Sequence, residues 1–117
     1  MFLATALLSC VLAAFMALSG LPKLAGGPRT AGMAQHLRVP TGSLRIIGAL
    51  EVAAAAGLLV GSAWTWLGVA AAGGLVVLML GGVVSHLRVE DPFAKALPAL
   101  IAAIVAAATL ALHLAAP

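Results

Sequence analysis

Charge is what this 117-residue chain has least of. Only 8% of its residues are Asp, Glu, Lys or Arg, where a soluble domain carries roughly a quarter. With 64% hydrophobic residues and a mean hydropathy of +1.22, the chain has too few polar groups to cover its own surface in water. A lipid bilayer removes that requirement. Cysteine occurs once, at Cys10, which excludes an internal disulfide, a Cys-x-x-Cys redox pair and any cysteine-based iron–sulfur or zinc centre. Acidic residues number three, and only Glu51 lies inside an apolar run; a paired-carboxylate mechanism has nothing to work with. No G-x-G-x-x-G follows a strand, and P-loop, H-E-x-x-H and G-x-S-x-G motifs are missing. The six basic residues are spread over two connections rather than along one face, so nucleic acid is excluded as a partner.

What is there is periodic apolar sequence. A hydrocarbon core about 30 Å thick is crossed by about 20 apolar residues at about 1.5 Å each. Four stretches qualify, at about 2–19, 43–60, 65–86 and 97–116. They predict an all-α, four-transmembrane-helix bundle forming one domain over 1–117, with the bilayer as its first partner. The first span is expected to close at Gly20-Leu21-Pro22, and Pro98 to sit in the first turn of the last. Leu7-Leu8-Ser9-Cys10 faintly resembles a lipoprotein cleavage box, but no basic n-region precedes it and the apolar run continues to Leu18. We therefore read Cys10 as a plain buried thiol in a spanning helix.

The one long polar stretch, 22–42, starts with Gly26-Gly27-Pro28 and then becomes helix-permissive. Thr30 can cap a short helix that Pro40 would end. Met33 and Leu37 share a face while Gln35 and Arg38 point elsewhere, as in a short interfacial helix; an ordered loop packed under the bundle is the alternative. Gly61 to Trp64 make a tight turn between antiparallel neighbours, with Trp64 and Trp66 placed for an interfacial aromatic belt. Lys23, Arg29, Arg38 and Arg45 lie between the first two spans, and Arg88 and Lys95 between the last two. The positive-inside rule then puts both connections in the cytoplasm and both termini outside. Ala53, Gly57 and Gly61 recur at four-residue spacing, and Gly73-Gly74 and Gly81-Gly82 punctuate the third span. Such residues let helix backbones approach closely, either within the bundle or in a homo-oligomer through the Gly57/Gly61 face.

Glu51 is the residue most able to carry chemistry. A carboxylate in hydrocarbon costs several kcal/mol, so it faces the bundle interior and finds a partner. Alternating helices bring Lys23, Arg45, His86 and Arg88 to the same end. Arg45 lies roughly 240° around the helix from Glu51 at about 100° per residue, which makes Lys23 or His86 the better partner. The cluster Lys23, Arg45, Glu51, His86 and Arg88 has three readings: a salt bridge pinning the bundle, the polar floor of a pocket for a quinone headgroup or oxygenated lipid, or a proton-handling pair of Glu51 with His86. His86 and His113 fall at opposite ends of the bundle and cannot share a haem iron. His36 could approach His86 without any metal-ligand spacing, and His113 reads as an interfacial residue at a helix end. No metal and no intrinsic cofactor is expected.

Three short segments resemble one family. Ser19-Gly20-Leu21-Pro22-Lys23-Leu24 closes the first span, Arg45-Ile46-Ile47-Gly48-Ala49-Leu50-Glu51 opens the second, and His86-Leu87-Arg88 with Asp91 ends the third. In order and placement they look like the DoxX-like family of small four-helix bacterial membrane proteins. The resemblance implies a multi-pass protein of the bacterial inner membrane, with Lys23, Arg45, Glu51, His86 and Arg88 at the family's polar positions. The family is named for a subunit associated with thiosulfate:quinone oxidation, and some relatives are linked to redox stress. With no redox centre of its own, the chain would act as an accessory or quinone-site subunit beside oxidoreductase partners. A membrane-embedded enzyme using Glu51 and His86 in acid–base chemistry is the alternative, and a small transporter a third.

Overall fold

A computed structural model describes residues 2–115. Within them the chain is helical throughout: α1 (Phe2–Ala25), α2 (Pro28–Leu37), α3 (Thr41–Val60), α4 (Thr65–Arg88) and α5 (Phe93–Ala115). All but α2 are long and apolar enough to cross a bilayer. Side chains such as Val11, Leu18, Ile46, Val77, Ile104 and Leu114 stand more than half exposed around the outside, an arrangement stable only where hydrocarbon replaces water. This is a multi-pass membrane protein built as a four-helix bundle. The core is a thin seam of Leu12, Met16, Leu58, Leu75, Ala72 and Ala106. Around the bundle α1 packs on α3, α3 on α4 and α4 on α5, while α1 and α5 touch least.

Two span boundaries differ from those read in the sequence. Helix α1 does not stop at Pro22 but runs one turn further, to Ala25. A proline forfeits only its own amide hydrogen bond, and the Pro22 carbonyl still accepts from Gly26 N at 3.1 Å. The stop signal is Gly26, whose φ of +71 supplies the left-handed residue that ends the helix. Helix α5 likewise starts at Phe93 rather than near 97, its first turn closed by Lys95 N donating to Pro92 O at 2.8 Å. Pro98 therefore falls in the second turn. The expected end of this span at Ala116 lies outside the described residues.

The α1–α2 connection also departs from expectation. Helix α2 begins at Pro28, with Gly27 as an N-cap that makes no side-chain hydrogen bond. Proline is preorganised for that first position, so Thr30 lies inside the helix and its hydroxyl donates to Pro22 O at 3.0 Å. The helix ends at Leu37, where Arg38 adopts a left-handed φ of 60 ahead of Pro40. Buried Ala34 and Leu37 pack on Leu44 at the start of α3. The helix is thus an amphipathic plate tucked under one end of the bundle.

Helix contacts are made through glycine, at two crossings. A Cβ on Gly61 would stand 2.7 Å from Gly68 Cα, and one on Gly57 would stand 3.0 Å from Ala71 Cβ. The Gly57/Gly61 face is therefore occupied by α4 of the same chain. At the other end, Gly20 of α1 and Gly48 of α3 meet backbone to backbone; a Cβ on Gly48 would be 2.7 Å from Gly20 O. One further expectation is corrected here. Cys10 is exposed on the outer side of α1, because the helix turns Ser9 and Leu12 inward instead. His113, in the last turn of α5, is 4% exposed, because Gly68 on α4 lacks the Cβ that would collide with its ring.

Candidate functional site

The Gly20–Gly48 crossing decides where Glu51 goes. Each glycine precedes a charged residue by three positions, Lys23 on α1 and Glu51 on α3, and residues three apart share a helix face. With the two backbones in contact, Lys23 Nζ reaches Glu51 Oε1 at 2.8 Å. Glu51 is completely buried, while the Lys23 side chain keeps 19% exposure. The ammonium also donates to Ser19 Oγ, one turn back, at 3.1 Å. Lysine has three N–H donors, so one is left. Glu51 Oε2 has no hydrogen-bond partner among the described residues. The ion pair therefore retains one unused donor and one unused buried acceptor.

Both residues line a cleft of about 630 Å³ at the α2 end of the bundle. Ser19 and Lys23 line it from α1, Thr30, Met33 and Leu37 from α2, Glu51 from α3, Ser85 and His86 from α4, and Lys95 and Pro98 from α5. Gly81 and Gly82 widen its α4 wall; a Cβ on Gly81 would meet nothing within 4 Å. Arg29 also lines the cleft, so three cationic side chains border it.

His86 reaches the cleft held by a carboxylate that the sequence reading left as a turn residue. Asp91 N donates to His86 O at 3.0 Å, closing the end of α4, and this brings the Asp91 side chain back onto the ring. His86 Nδ1 donates to Asp91 Oδ2 at 2.7 Å, and His36 Nε2 on α2 donates to Asp91 Oδ1 at 2.7 Å. The side chain of Asp91 is only 8% exposed. The His86 and His36 hydrogen bonds together hold its carboxyl below the ordinary 3.8, His86 contributing most and burial opposing. An aspartate on Nδ1 is the arrangement that fixes a histidine tautomer in acid–base sites, leaving Nε2 as the nitrogen that faces away from the carboxylate. The bridge also ties α2 to the α4–α5 connection.

Arg45 and Arg88 do not join the cluster. Arg45 wraps around Gly26 and its Nε donates to Leu24 O at 3.2 Å. Arg88 donates from a guanidinium nitrogen to Leu37 O at 2.7 Å. Each neutralises the carbonyl end of a helix, α1 and α2 respectively, where positive charge is favoured. Of the five residues expected together, Lys23, Glu51 and His86 share the cleft and the two arginines clamp the helices that frame it. The sequence reading named Ser19, Gly20, Gly48 and Asp91 within the segments that carry the resemblance but gave them no part in the site. The paired Gly-x-x-Lys and Gly-x-x-Glu spacing carried the signal for the glycines, and the five-residue step from His86 to Asp91 across a helix end carried it for the carboxylate. Among the described residues no three His, Cys, Asp or Glu side chains gather as metal ligands.

A family model described as the DoxX-like family matches residues 7–108, which takes in every residue of the cleft. The chain belongs to the DoxX-like family. No curated protein and no solved structure matches it. In this DoxX-like chain, all three segments that carried the resemblance meet at the cleft end of the bundle: the first supplies Ser19, Gly20 and Lys23, the second Gly48 and Glu51, and the third His86.

Proposed function

We propose that this protein holds the oxygen-bearing head of a quinone-like or lipid molecule in the cleft, as an accessory subunit of a membrane redox system. The observation carrying this reading is the unpartnered Glu51 Oε2, fully buried in the wall of a cleft that it shares with Lys23 and His86. A buried acceptor without a donor costs about 1–3 kcal/mol, and a hydroxyl on a bound head removes that cost. The remaining Lys23 proton suits a carbonyl on the same head. The positive-inside rule supports placing the cleft end in the cytoplasm and both termini outside a bacterial inner membrane: Lys23, Arg29, Arg38, Arg45, Arg88 and Lys95 all belong to that end.

Native mass spectrometry of protein extracted gently from its own membrane tests this. A quinone-mass adduct or a second polypeptide is expected with the wild type, and the adduct should disappear in Glu51→Gln while the unfolding transition persists. Protein released with bulk phospholipid alone would overturn the reading.

The Asp91-oriented His86 favours a second reading, an enzyme that moves a proton on an apolar substrate. Here His86 Nε2 would act as the base and Glu51 as the second proton-handling group. Turnover of a membrane lipid extract in proteoliposomes, lost in both His86→Ala and Glu51→Gln, would establish it; conversion that survives both changes would end it.

A further inference from the structure

We infer that the occupant of the cleft carries one long apolar chain, which leaves the head site sideways, through the seam between α1 and α5, into the bilayer core. This rests on the reading of the cleft as a head site and specifies the class of molecule that fits. A second cavity of about 290 Å³ lies in that seam, and every residue lining it is apolar. Phe15 on α1 and Pro98 on α5 belong to the walls of both cavities, so the polar cleft and the apolar groove adjoin at these two side chains. From that junction the groove runs to Val11 on α1 and to Val105 on α5. Seven residues separate Pro98 from Val105, about 10 Å of helix at about 1.5 Å per residue. The direction is away from the charged end, toward the middle of the bilayer.

Two other sides of the cleft are covered. Helix α2 roofs the cleft and is tied down at three points: Thr30 to Pro22 O, Arg88 to Leu37 O, and His36 to Asp91. At the cleft end the Gly20–Gly48 contact closes the α1–α3 side, and around the ring α1 and α5 are the loosest neighbours. A molecule whose head is held by Glu51 and Lys23 can therefore keep its chain in hydrocarbon throughout. The groove is a single seam between two helices and takes one chain.

The test uses two para-benzoquinones with identical ring substituents, one bearing a methyl group and the other a geranyl chain at the remaining position. Each is titrated against the protein in lipid nanodiscs, with binding read by native mass spectrometry and expressed per mole of lipid. Ile101→Trp and Val11→Trp fill the groove from opposite sides; these positions are 52% and 63% exposed to lipid, so neither change intrudes on the core. Partition into the disc is the same for every variant, so the ratio of wild type to variant reports the groove alone. Both variants should weaken the geranyl probe by about tenfold, equivalent to about 1.4 kcal/mol, and leave the methyl probe unchanged.

If both probes bind every variant as they bind wild type, the chain path is wrong and the head site stands. If the two probes bind the wild type alike, bilayer phospholipid already fills the groove and the inference falls. If neither probe binds the wild type, the head site falls and takes the inference with it. A geranyl probe with a diazirine at the chain end needs no variant: it should label peptides containing Val11 or Val105, and labelling confined to α2 or α3 would overturn the proposal.

Discussion

Replacing Gly48 by alanine asks whether the ion pair owes its geometry to the backbone contact between α1 and α3. A Cβ there would stand 2.6 Å from the Leu24 amide nitrogen and 2.7 Å from Gly20 O, where ordinary contact begins at 3.4 Å. Both neighbours are backbone atoms, so no rotamer change relieves the overlap, and the helices must part by about 0.8 Å. Overpacking of this kind costs about 1–3 kcal/mol, and the better helix propensity of alanine returns up to about 1 kcal/mol. The same separation carries the 2.8 Å contact between Lys23 and Glu51 past hydrogen-bond reach. Breaking a buried pair costs about 3–5 kcal/mol when a charge is left alone, less here because Lys23 keeps access to solvent and to Ser19. The expected loss is about 2–4 kcal/mol. It is measured by SDS titration in mixed micelles with helicity as the readout. Gly81→Ala, where a Cβ meets nothing within 4 Å, is the control and should change stability by no more than about 1 kcal/mol. In a Glu51→Gln background the pair is already gone, and Gly48→Ala should cost only its packing share of about 1–3 kcal/mol. A Gly48→Ala protein within about 0.5 kcal/mol of wild type, the size expected of an uninvolved site, would refute the reasoning, as would an undiminished cost in the Glu51→Gln background.

Other expectations follow from the same contacts. Lys23→Met leaves Glu51 buried without its cation and should lose about 3 kcal/mol, more than Glu51→Gln, whose freed ammonium can reach solvent; equal losses in the same titration would contradict the assigned burial. Asp91 has a folded pKa below 3.8, so its stabilisation is fully present above that value and is lost as pH falls through the folded value. The melting-temperature gap between wild type and Asp91→Asn should therefore be present at pH about 5 and close as pH falls below about 4; a gap that widens in acid would show the sign to be wrong. Gly81→Leu projects a side chain into the cleft without meeting protein atoms at its Cβ, and should weaken the methyl-benzoquinone probe by about tenfold or more, about 1.4 kcal/mol, at unchanged stability. Gly68→Ala drives a methyl group into the His113 ring and should cost about 1–3 kcal/mol; a neutral effect would mean that the ring has room to move.

Much of the bundle was legible because a bilayer imposes its own length and polarity. Four apolar runs could only be spans, and the α3–α4 turn and the short helix before Pro40 followed from local signals. Glu51 was marked by its own cost in hydrocarbon, and helix phase turned its partner away from Arg45 and toward Lys23 or His86. The helix ends were less readable, because Pro22 and Pro98 break one hydrogen bond each without breaking a helix that neighbours hold. Cys10 was misplaced and the burial of the His113 ring went unread, because inward and outward facing in a span rich in Ala and Leu depends on which neighbour supplies a gap. That gap is Gly68 for the ring.

By itself, then, the sequence determined the solvent, the number of spans and the one carboxylate that had to be neutralised, since each is set by transfer free energy along a single chain. Only the tertiary structure decided how the polar residues divide. Gly20 against Gly48 aims Lys23 at Glu51, the end of α4 folds Asp91 onto His86, and Arg45 and Arg88 are drawn off to the carbonyl ends of α1 and α2. These outcomes turn on ångström-scale distances between segments far apart in the chain, and no local periodicity encodes which of several nearby cations reaches a buried charge first.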